Sequence, residues 1–362
     1  MNPSLQVNTE TASSAHVALD QYATHELVEA FVSDQQYAAI AVMNASSAIA
    51  QAVDASAQRL ARGGRLIYAG AGTSGRLGVL DAVELFPTFS WTRDRAPALL
   101  AGGSSAMFLA VEGAEDNREQ AVVDLLALEP KESDVVFAIA ASGYTPFAIA
   151  VIEAAKPLGC LTIGMANNPG STLLQSAELS IVLDTGPEVI SGSTRLKAGT
   201  AQKIALNSFS SAVMVKLHKV YGNLMVDLRA TNAKLYRRAL RLTMMASGAN
   251  EAQAEEALLA CGYRVKVAIV MLKCQLAAGQ AEAWLDAKAG DLRAALHESP
   301  GFLHRFAKLK SLPSNHNLPN TQCIALQDHQ IGMAAFANPA SVLQTQDLRW
   351  PGRKHGTRLL DT

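Results

Sequence analysis

Short apolar runs alternate with stretches of helical spacing through the middle of the chain. Runs of this length and character predict buried strands, and they are Leu66–Ala69, Ala98–Ala101, Val135–Ala140, Leu161–Met165 and Leu179–Leu183. Between them apolar residues recur every three or four positions, which predicts helices over Ser105–Glu112, Glu119–Leu126, Pro146–Lys156 and Leu173–Ser176. This alternation predicts an α/β fold, in which a parallel sheet carries helices on both faces.

The pattern changes on either side of this central block. Residues 1–18 are polar and rich in Ser and Thr, which predicts a poorly ordered arm. Residues 19–60 have helical spacing, with Asp34 as the expected N-cap of a second helix, and residues 193–221 predict one long apolar helix. Beyond Ser299, prolines interrupt every pattern. We therefore predict an N-terminal arm with helices (1–60), a central domain (61–230), a C-terminal helical subdomain (231–298) and a loosely ordered tail (299–362).

A turn rich in Gly, Ser and Thr follows the first predicted strand. It contains Gly72, Thr73, Ser74 and Gly75, and the helix after it is expected to stop at Pro87. Backbone N–H groups and hydroxyls at a helix N-terminus favour an anion. The spacing is neither Gly-x-Gly-x-x-Gly nor a P-loop, so we predict a phosphate site for a ligand smaller than a nucleotide. A tight turn without a ligand is the alternative.

Two further polar stretches open predicted helices. The first follows the third strand and contains Ser142, Gly143 and Thr145. Two such turns on neighbouring strands could hold one phosphate from two sides, because ligands of parallel sheets bind at the carboxyl ends of the strands. The second contains Ser193 and Lys197, which could meet an anion. Its alternative interpretation is a helix N-cap followed by a solvated basic turn.

Composition narrows the classes of function. The net charge is −1 without a long basic run, which argues against nucleic acid as the main partner. Four cysteines lie far apart, so the sequence predicts neither a zinc site nor a disulfide framework and fits a reduced, cytoplasmic setting. No apolar segment approaches membrane-spanning length. We expect a soluble protein with no membrane partner, no metal and no cofactor.

Carboxylates are the candidate catalytic groups. Glu84 lies late in the helix after the first turn, among Val83, Leu85 and Phe86. Apolar neighbours and the negative end of the helix dipole would raise the pKa of this carboxyl and suit it to donate a proton. A second acidic group spans residues 112–117. Acidic runs are usually solvated, so the pattern alone leaves its role open.

Five motifs in order make the chain resemble the N-acetylmuramic acid 6-phosphate etherase family, which belongs to the sugar isomerase (SIS) domain proteins. They are residues 70–89, 111–116, 141–146, 186–203 and 219–227, within a resemblance that runs from about residue 19 to about residue 298. The resemblance implies a SIS-type parallel-sheet sandwich with N-terminal helices and a C-terminal helical subdomain. It also implies a homodimer that acts on a small sugar phosphate in cell-wall recycling.

The resemblance also assigns roles to residues. It implies cleavage of a D-lactyl ether, with Glu84 as the catalytic acid and Glu115 as the second catalytic carboxylate. Phosphate and sugar contacts would fall on the turns at 73–75 and 142–145. The chain has Tyr144 where the family usually has Arg, which removes a cation near the expected phosphate site. Two alternatives remain: a non-catalytic sugar-phosphate sensor similar to the glucokinase regulatory protein, and an aldose–ketose isomerase of the SIS family.

Overall fold

The computed structural model describes residues 7–228, 230 and 232–298, and a five-stranded parallel sheet lies at its centre. The strands are β1 (Leu66–Gly70), β2 (Ala98–Leu100), β3 (Val135–Ala140), β4 (Leu161–Ala166) and β5 (Leu179–Val182). Their order across the sheet is β2-β1-β3-β4-β5, and every neighbouring pair is parallel. All five predicted strands are present, and their predicted ends differ from the observed ends by at most one residue. The predicted tail, residues 299–362, lies outside the described residues.

Helices cover both faces of this sheet, as predicted. They are α1 (Thr24–Asp34), α2 (Gln36–Asn44), α3 (Ser46–Ala61), α4 (Gly72–Phe89), α5 (Arg118–Leu126), α6 (Pro146–Ala155), α7 (Thr172–Ser176), α8 (Lys197–Lys216), α9 (Ala233–Ser247), α10 (Glu251–Ala260), α11 (Val265–Cys274), α12 (Ala278–Ala287) and α13 (Leu292–His297). One face of the sheet packs against α2, α3, α4 and α8. The other packs against α5, α6 and α7. Alternate residues of each strand therefore enter different cores, as the period of two requires.

The helices after residue 232 pack around a core of their own. Buried residues from α9 to α13 form this cluster together with Val226 and Leu228. Gly248, with φ of 78°, follows the last residue of α9 and ends that helix in the left-handed conformation. The boundaries proposed for the domains remain a prediction. Within the described part of the chain, no single helix is long and apolar enough to span a membrane, and only the bent combination of 24–44 with 46–61 meets that test by length and composition.

Three local predictions are wrong. Residues 105–112 are not an α-helix: Ser104–Met107 is a 3₁₀ turn, and the apolar side chains of Phe108 and Leu109 face solvent. Pro87 does not stop α4, which continues to Phe89 with Pro87 inside it. The helix predicted over 193–221 is shorter at both ends. The carboxylate of Glu188 caps its start at Lys197 and Ala198, and it ends at Lys216, before His218 with its φ of 59°.

A buried polar cluster ties α4 and α8 to the sheet. The Tyr68 hydroxyl donates to Asp81 Oδ2 at 2.6 Å, and the Ser210 hydroxyl donates to Asp81 Oδ1 at 3.2 Å. Burial raises the pKa of the Asp81 carboxyl, while the two hydrogen bonds oppose that shift. Since an unpaired buried carboxylate is costly, these two hydroxyls are part of what keeps α4 in place.

Tyr68→Phe tests this cluster. We expect the free energy of unfolding to fall by about 1–3 kcal/mol near neutral pH, because Asp81 stays buried with one donor fewer. Because the pKa of Asp81 is raised in the folded protein, the free energy of unfolding falls as pH rises from the ordinary Asp range through the pKa of the folded state. We expect this fall to be steeper in the variant. Denaturant unfolding at about pH 4 and about pH 7 measures this difference. Tyr236→Phe, at a tyrosine that is 41% exposed, is the control and should change little. A loss of equal size at both pH values would contradict this account.

Candidate active site

The two predicted phosphate turns follow the two neighbouring strands at which the strand order reverses. From β1 the chain passes to β2 on one side and then to β3 on the other. In open parallel sheets with helices on both faces, ligands bind in a crevice just beyond the carboxyl ends of the two strands at which the strand order reverses. Here those strands are β1, followed by the turn at 72–75, and β3, followed by the turn at 142–145.

The first turn lies close against the ends of β1 and β3. A Cβ on Gly70 would lie 2.8 Å from the Ile139 carbonyl oxygen and 3.0 Å from the Gly75 nitrogen, so the backbone fits only with glycine here. Helix α4 starts at Gly72, and its N-cap residue Ala71 offers no side-chain acceptor. The first N–H groups of an α-helix have no acceptor within the helix. This end of α4 therefore presents donors at the crevice.

The second turn is held by hydrogen bonds from its neighbours. The Tyr144 N–H donates to Ser142 Oγ at 3.1 Å, and the Leu173 N–H donates to the Gly143 carbonyl at 2.9 Å. Gly143 has a φ of 74°, which side chains rarely adopt. Helix α6 follows with Thr145 as its N-cap residue, again without a side-chain cap hydrogen bond. Both turns thus lead into a helix whose first N–H groups are not capped by a side chain.

Gly143→Ala should disrupt this turn. The new Cβ would lie 2.0 Å from Ser171 Oγ and 2.4 Å from Ser171 Cβ, in addition to the unfavourable φ. We expect a loss of about 2–4 kcal/mol in stability from strain and overpacking together, and a fall of at least about tenfold in kcat/KM of the reaction proposed below. Gly170→Ala is the matched control, since φ there is 70° but a Cβ meets nothing within 4 Å. Equal losses in the two variants would mean that the contact with Ser171 is unimportant.

Asn168 was missed by the sequence analysis and braces the second turn. Its side-chain nitrogen donates to the carbonyls of Ala141 and Ser142, both at 3.1 Å, and to Thr9 Oγ1 at 3.0 Å. The Thr9 N–H in turn donates to Asn168 Oδ1 at 3.2 Å. Asn168 is the second residue after the end of β4, so the tendency of ligand sites to lie at the carboxyl ends of parallel strands points to it.

The N-terminal arm is therefore not loose at Thr9, contrary to the prediction for residues 1–18. Thr9 is fully buried, and its carbonyl accepts from the Gly192 N–H at 3.1 Å. Ser191 Oγ donates to the Glu10 carbonyl at 3.0 Å. The polar composition of the arm did not predict these contacts, because they are hydrogen bonds to residues more than 150 positions away.

The third polar stretch reaches the first turn, but its lysine is engaged elsewhere. A Cβ on Gly199 would lie 3.3 Å from the Thr194 carbonyl and 3.4 Å from the Thr73 methyl group, so the start of α8 lies beside Thr73. Ser193, which precedes α8, is half-buried. The Lys197 side chain is 4% exposed. Its ammonium donates to Asp34 Oδ1 and to the Pro187 carbonyl, both at 2.8 Å.

Lys197 is therefore left out of the ligand-binding set proposed below. The predicted role of Asp34 is also wrong, because Asp34 is the last residue of α1 and pairs with Lys197 instead of capping α2. The carboxylate of Glu188 occupies the N-terminus of α8, and burial raises the pKa of that carboxyl. Unlike α4, α8 already has an anion from its own chain.

Glu84 is more exposed than its apolar neighbours in the sequence predict. Its side chain is 56% exposed, and Val83 and Phe86 beside it are exposed as well. Glu84 Oε2 accepts a hydrogen bond from Lys203 Nζ on α8 at 3.0 Å, and Lys203 is 28% exposed. Leu85 is buried in the core, but Val83 and Phe86 lie on the exposed face of α4 with Glu84.

Glu115 lies in a different part of the fold. It is exposed in the 3₁₀ turn Ala114–Asp116, and Ala114 packs against the core on the α6 side of the sheet. Glu84 belongs to α4, on the opposite face. It also lies eleven residues after Thr73, about 16 Å along the helix axis. A single chain therefore places the two turns together but holds Glu84 apart from them.

A cavity of about 860 Å³ lies between the end of α3, the residues at the end of α8 and the C-terminal helices, and neither turn lines it. Lysines line it, but Asp227 pairs with both Lys219 at 2.6 Å and Lys266 at 3.3 Å. These charges join the end of α8 to the C-terminal helices. The polar turns, not this cavity, define the candidate active site.

Comparison with known families agrees with this geometry. The SIS domain model matches residues 120–212, that of the glucokinase regulatory protein N-terminal SIS domain matches residues 48–156, and that of the C-terminal lid domain of glucokinase regulatory protein matches residues 222–278. The fold and the paired turns thus define a SIS-domain protein. A solved phosphoheptose isomerase from Francisella tularensis is 19% identical, with a TM-score of 0.42 over 53% of this chain and 98% of its own.

Curated relatives are much more similar. N-acetylmuramic acid 6-phosphate etherase of Deinococcus radiodurans is 52% identical over 290 residues, which is 80% of this chain and 95% of the relative. The etherase of an Enterobacter species is 48% identical over 288 residues, 80% of this chain and 97% of the relative. The chain belongs to the N-acetylmuramic acid 6-phosphate etherase family.

Proposed function

We propose that this protein is an enzyme that cleaves the D-lactyl ether of N-acetylmuramic acid 6-phosphate and releases N-acetylglucosamine 6-phosphate and D-lactate. The observation that carries the proposal is the identity of 52% with an etherase over 80% of the chain. The geometry supports it, because two uncapped turns at the strand reversal offer donors for one phosphate. We assign phosphate and sugar contacts to Gly72, Thr73, Ser74, Gly75, Ser142, Gly143, Thr145 and Ser193.

The reaction needs an acid and a base but no electron acceptor. With the sugar in its open-chain aldehyde form, the C2 proton is acidic, and we assign its removal to Glu115. The electron pair left on C2 forms the C2–C3 double bond while the C3–O bond breaks. The departing lactate oxygen keeps that bond pair and takes a proton from Glu84. Water then adds its oxygen to C3 and gives up a proton to Glu84, while Glu115 returns a proton to C2, so the first step is that of a lyase and both carboxyl groups are restored.

We propose that the active unit is a homodimer. The α4 face around Glu84 exposes Leu80, Val83 and Phe86, and a groove of about 600 Å³ between α2, α3 and α8 is lined by apolar residues such as Met43 and Ile204. Exposed apolar patches of this kind mark protein interfaces. A second copy on this face would enclose Glu84 and could bring it to the turns of the other copy. A cytoplasmic role in recycling cell-wall sugars fits this substrate.

One assay tests the function. The protein is incubated with N-acetylmuramic acid 6-phosphate, and D-lactate and N-acetylglucosamine 6-phosphate are measured enzymatically and by mass spectrometry. We expect the two products in equal amounts. Binding without turnover would instead indicate a regulator of the glucokinase-regulatory-protein type. Conversion to a ketose phosphate with the lactyl group retained would indicate an isomerase. The relatives at 46–52% identity bear the etherase name, so neither alternative is favoured.

A further inference from the structure

The ammonium of Lys203 lies directly beside the carboxylate of Glu84. It donates to Glu84 Oε2 at 3.0 Å, and its charge also acts on the buried carboxyl of Asp81, one helical turn before Glu84. Both groups of the Lys203–Glu84 pair reach solvent, with 28% and 56% of the side chains exposed. A pair this open gains little stability from its attraction. Its position beside the proposed acid suggests a role in binding.

Other lysines nearby are engaged differently. Lys197, on the same helix, is buried against Asp34 and a carbonyl. Lys216 pairs with Asp54 at 2.9 Å and lies thirteen residues after Lys203, about 20 Å along α8. Lys203 is the ammonium that the structure places directly on Glu84 while leaving it accessible to a ligand.

The proposed substrate carries a second anion besides the phosphate. The lactyl carboxylate is attached to the carbon that bears the ether oxygen. A group that protonates this oxygen must therefore approach a carboxylate closely. Two carboxylates at such a distance repel each other unless a cation lies between them.

We propose that Lys203 binds the lactyl carboxylate of the substrate and gives up its pairing with Glu84 in doing so. This inference rests on the proposed function and assigns the lactyl end of the same site. Released from this pairing, Glu84 can donate a proton to the ether oxygen as the C3–O bond breaks, while Lys203 keeps its contact with the lactyl carboxylate.

A neutral analogue separates this role from a structural one. The analogue is the same sugar phosphate with the lactyl carboxylate converted to a primary amide, and its turnover is followed by lactamide release. The parent protein should prefer the carboxylate by about 10²-fold in kcat/KM. Lys203→Met should lose about 10²-fold on the carboxylate substrate and less than about threefold on the amide, because only the charge contact is removed. Lys203→Arg should retain most of the preference, and the control Lys216→Met should behave as the parent.

Each outcome decides the proposal. Equal losses on both substrates in Lys203→Met, or equal turnover of both by the parent protein, would overturn the role of Lys203 while D-lactate release still supports the etherase. The second comparison needs no variant, so misfolding of Lys203→Met cannot hide the answer. No D-lactate from the parent protein would overturn both the proposed function and this inference.

Discussion

Glu115→Gln is expected to slow both solvent exchange at C2 and release of D-lactate by about 10²-fold or more, because the base that starts the elimination is lost. Glu84→Gln is expected to behave differently. It keeps the base and both phosphate turns, so C2–H should still exchange with deuterium while lactate release falls by about 10²-fold or more. Proton NMR in deuterated buffer and an enzymatic lactate assay measure the two steps on the same sample.

Two controls match these variants. Glu112→Gln removes a carboxylate from the same exposed run as Glu115. Asp54→Asn removes another carboxylate that pairs with a lysine of α8. Both should retain activity within about threefold, since surface pairs contribute little. If Glu84→Gln stops exchange and Glu115→Gln does not, the roles must be exchanged. If neither variant slows lactate release, these carboxylates do not carry the chemistry.

Removal of the phosphate from the substrate should have an effect of similar size. We expect unphosphorylated N-acetylmuramic acid to turn over at least about 10²-fold more slowly in kcat/KM, because the charge-assisted contacts at both turns are lost. Thr73→Val and Ser142→Ala should slow the phosphorylated sugar and leave the other nearly unchanged, so the difference between the two sugars narrows. Steady-state kinetics with both sugars measures this difference. Comparable kcat/KM for the two sugars in the parent protein would argue against a phosphate site.

The sheet could be predicted because its strands leave a strong local signal. Val135–Ala140 is fully buried on both faces, and such strands are continuous apolar runs. The turns at 72–75 and 142–145 were predictable for a related reason, since glycine and hydroxyl residues directly follow those runs. Because ligands of parallel sheets bind beyond the carboxyl ends of the strands, the sequence alone predicts that both turns border one crevice.

The rest of the site depends on contacts between distant residues. Apolar spacing over 105–112 predicts a helix, but Phe108 and Leu109 are exposed in a loop that Arg76 holds through the carbonyls of Ala106 and Leu109. The surroundings of Glu84 depend on Lys203, which lies 119 positions away. The polar arm at Thr9 is fixed by Asn168, 159 positions away. The local sequence pattern cannot predict pairs of residues that lie so far apart in the chain.

The fate of the oxygen at C3 tests the proposed elimination and hydration most directly. In water enriched in ¹⁸O, breaking the C3–O bond and adding water back should place the label in the C3 hydroxyl of N-acetylglucosamine 6-phosphate and leave D-lactate unlabelled. Fragment-ion mass spectrometry distinguishes C3 from the anomeric oxygen, which exchanges through the open-chain aldehyde. Label in the lactate hydroxyl, with none at C3 of the sugar, would contradict the account.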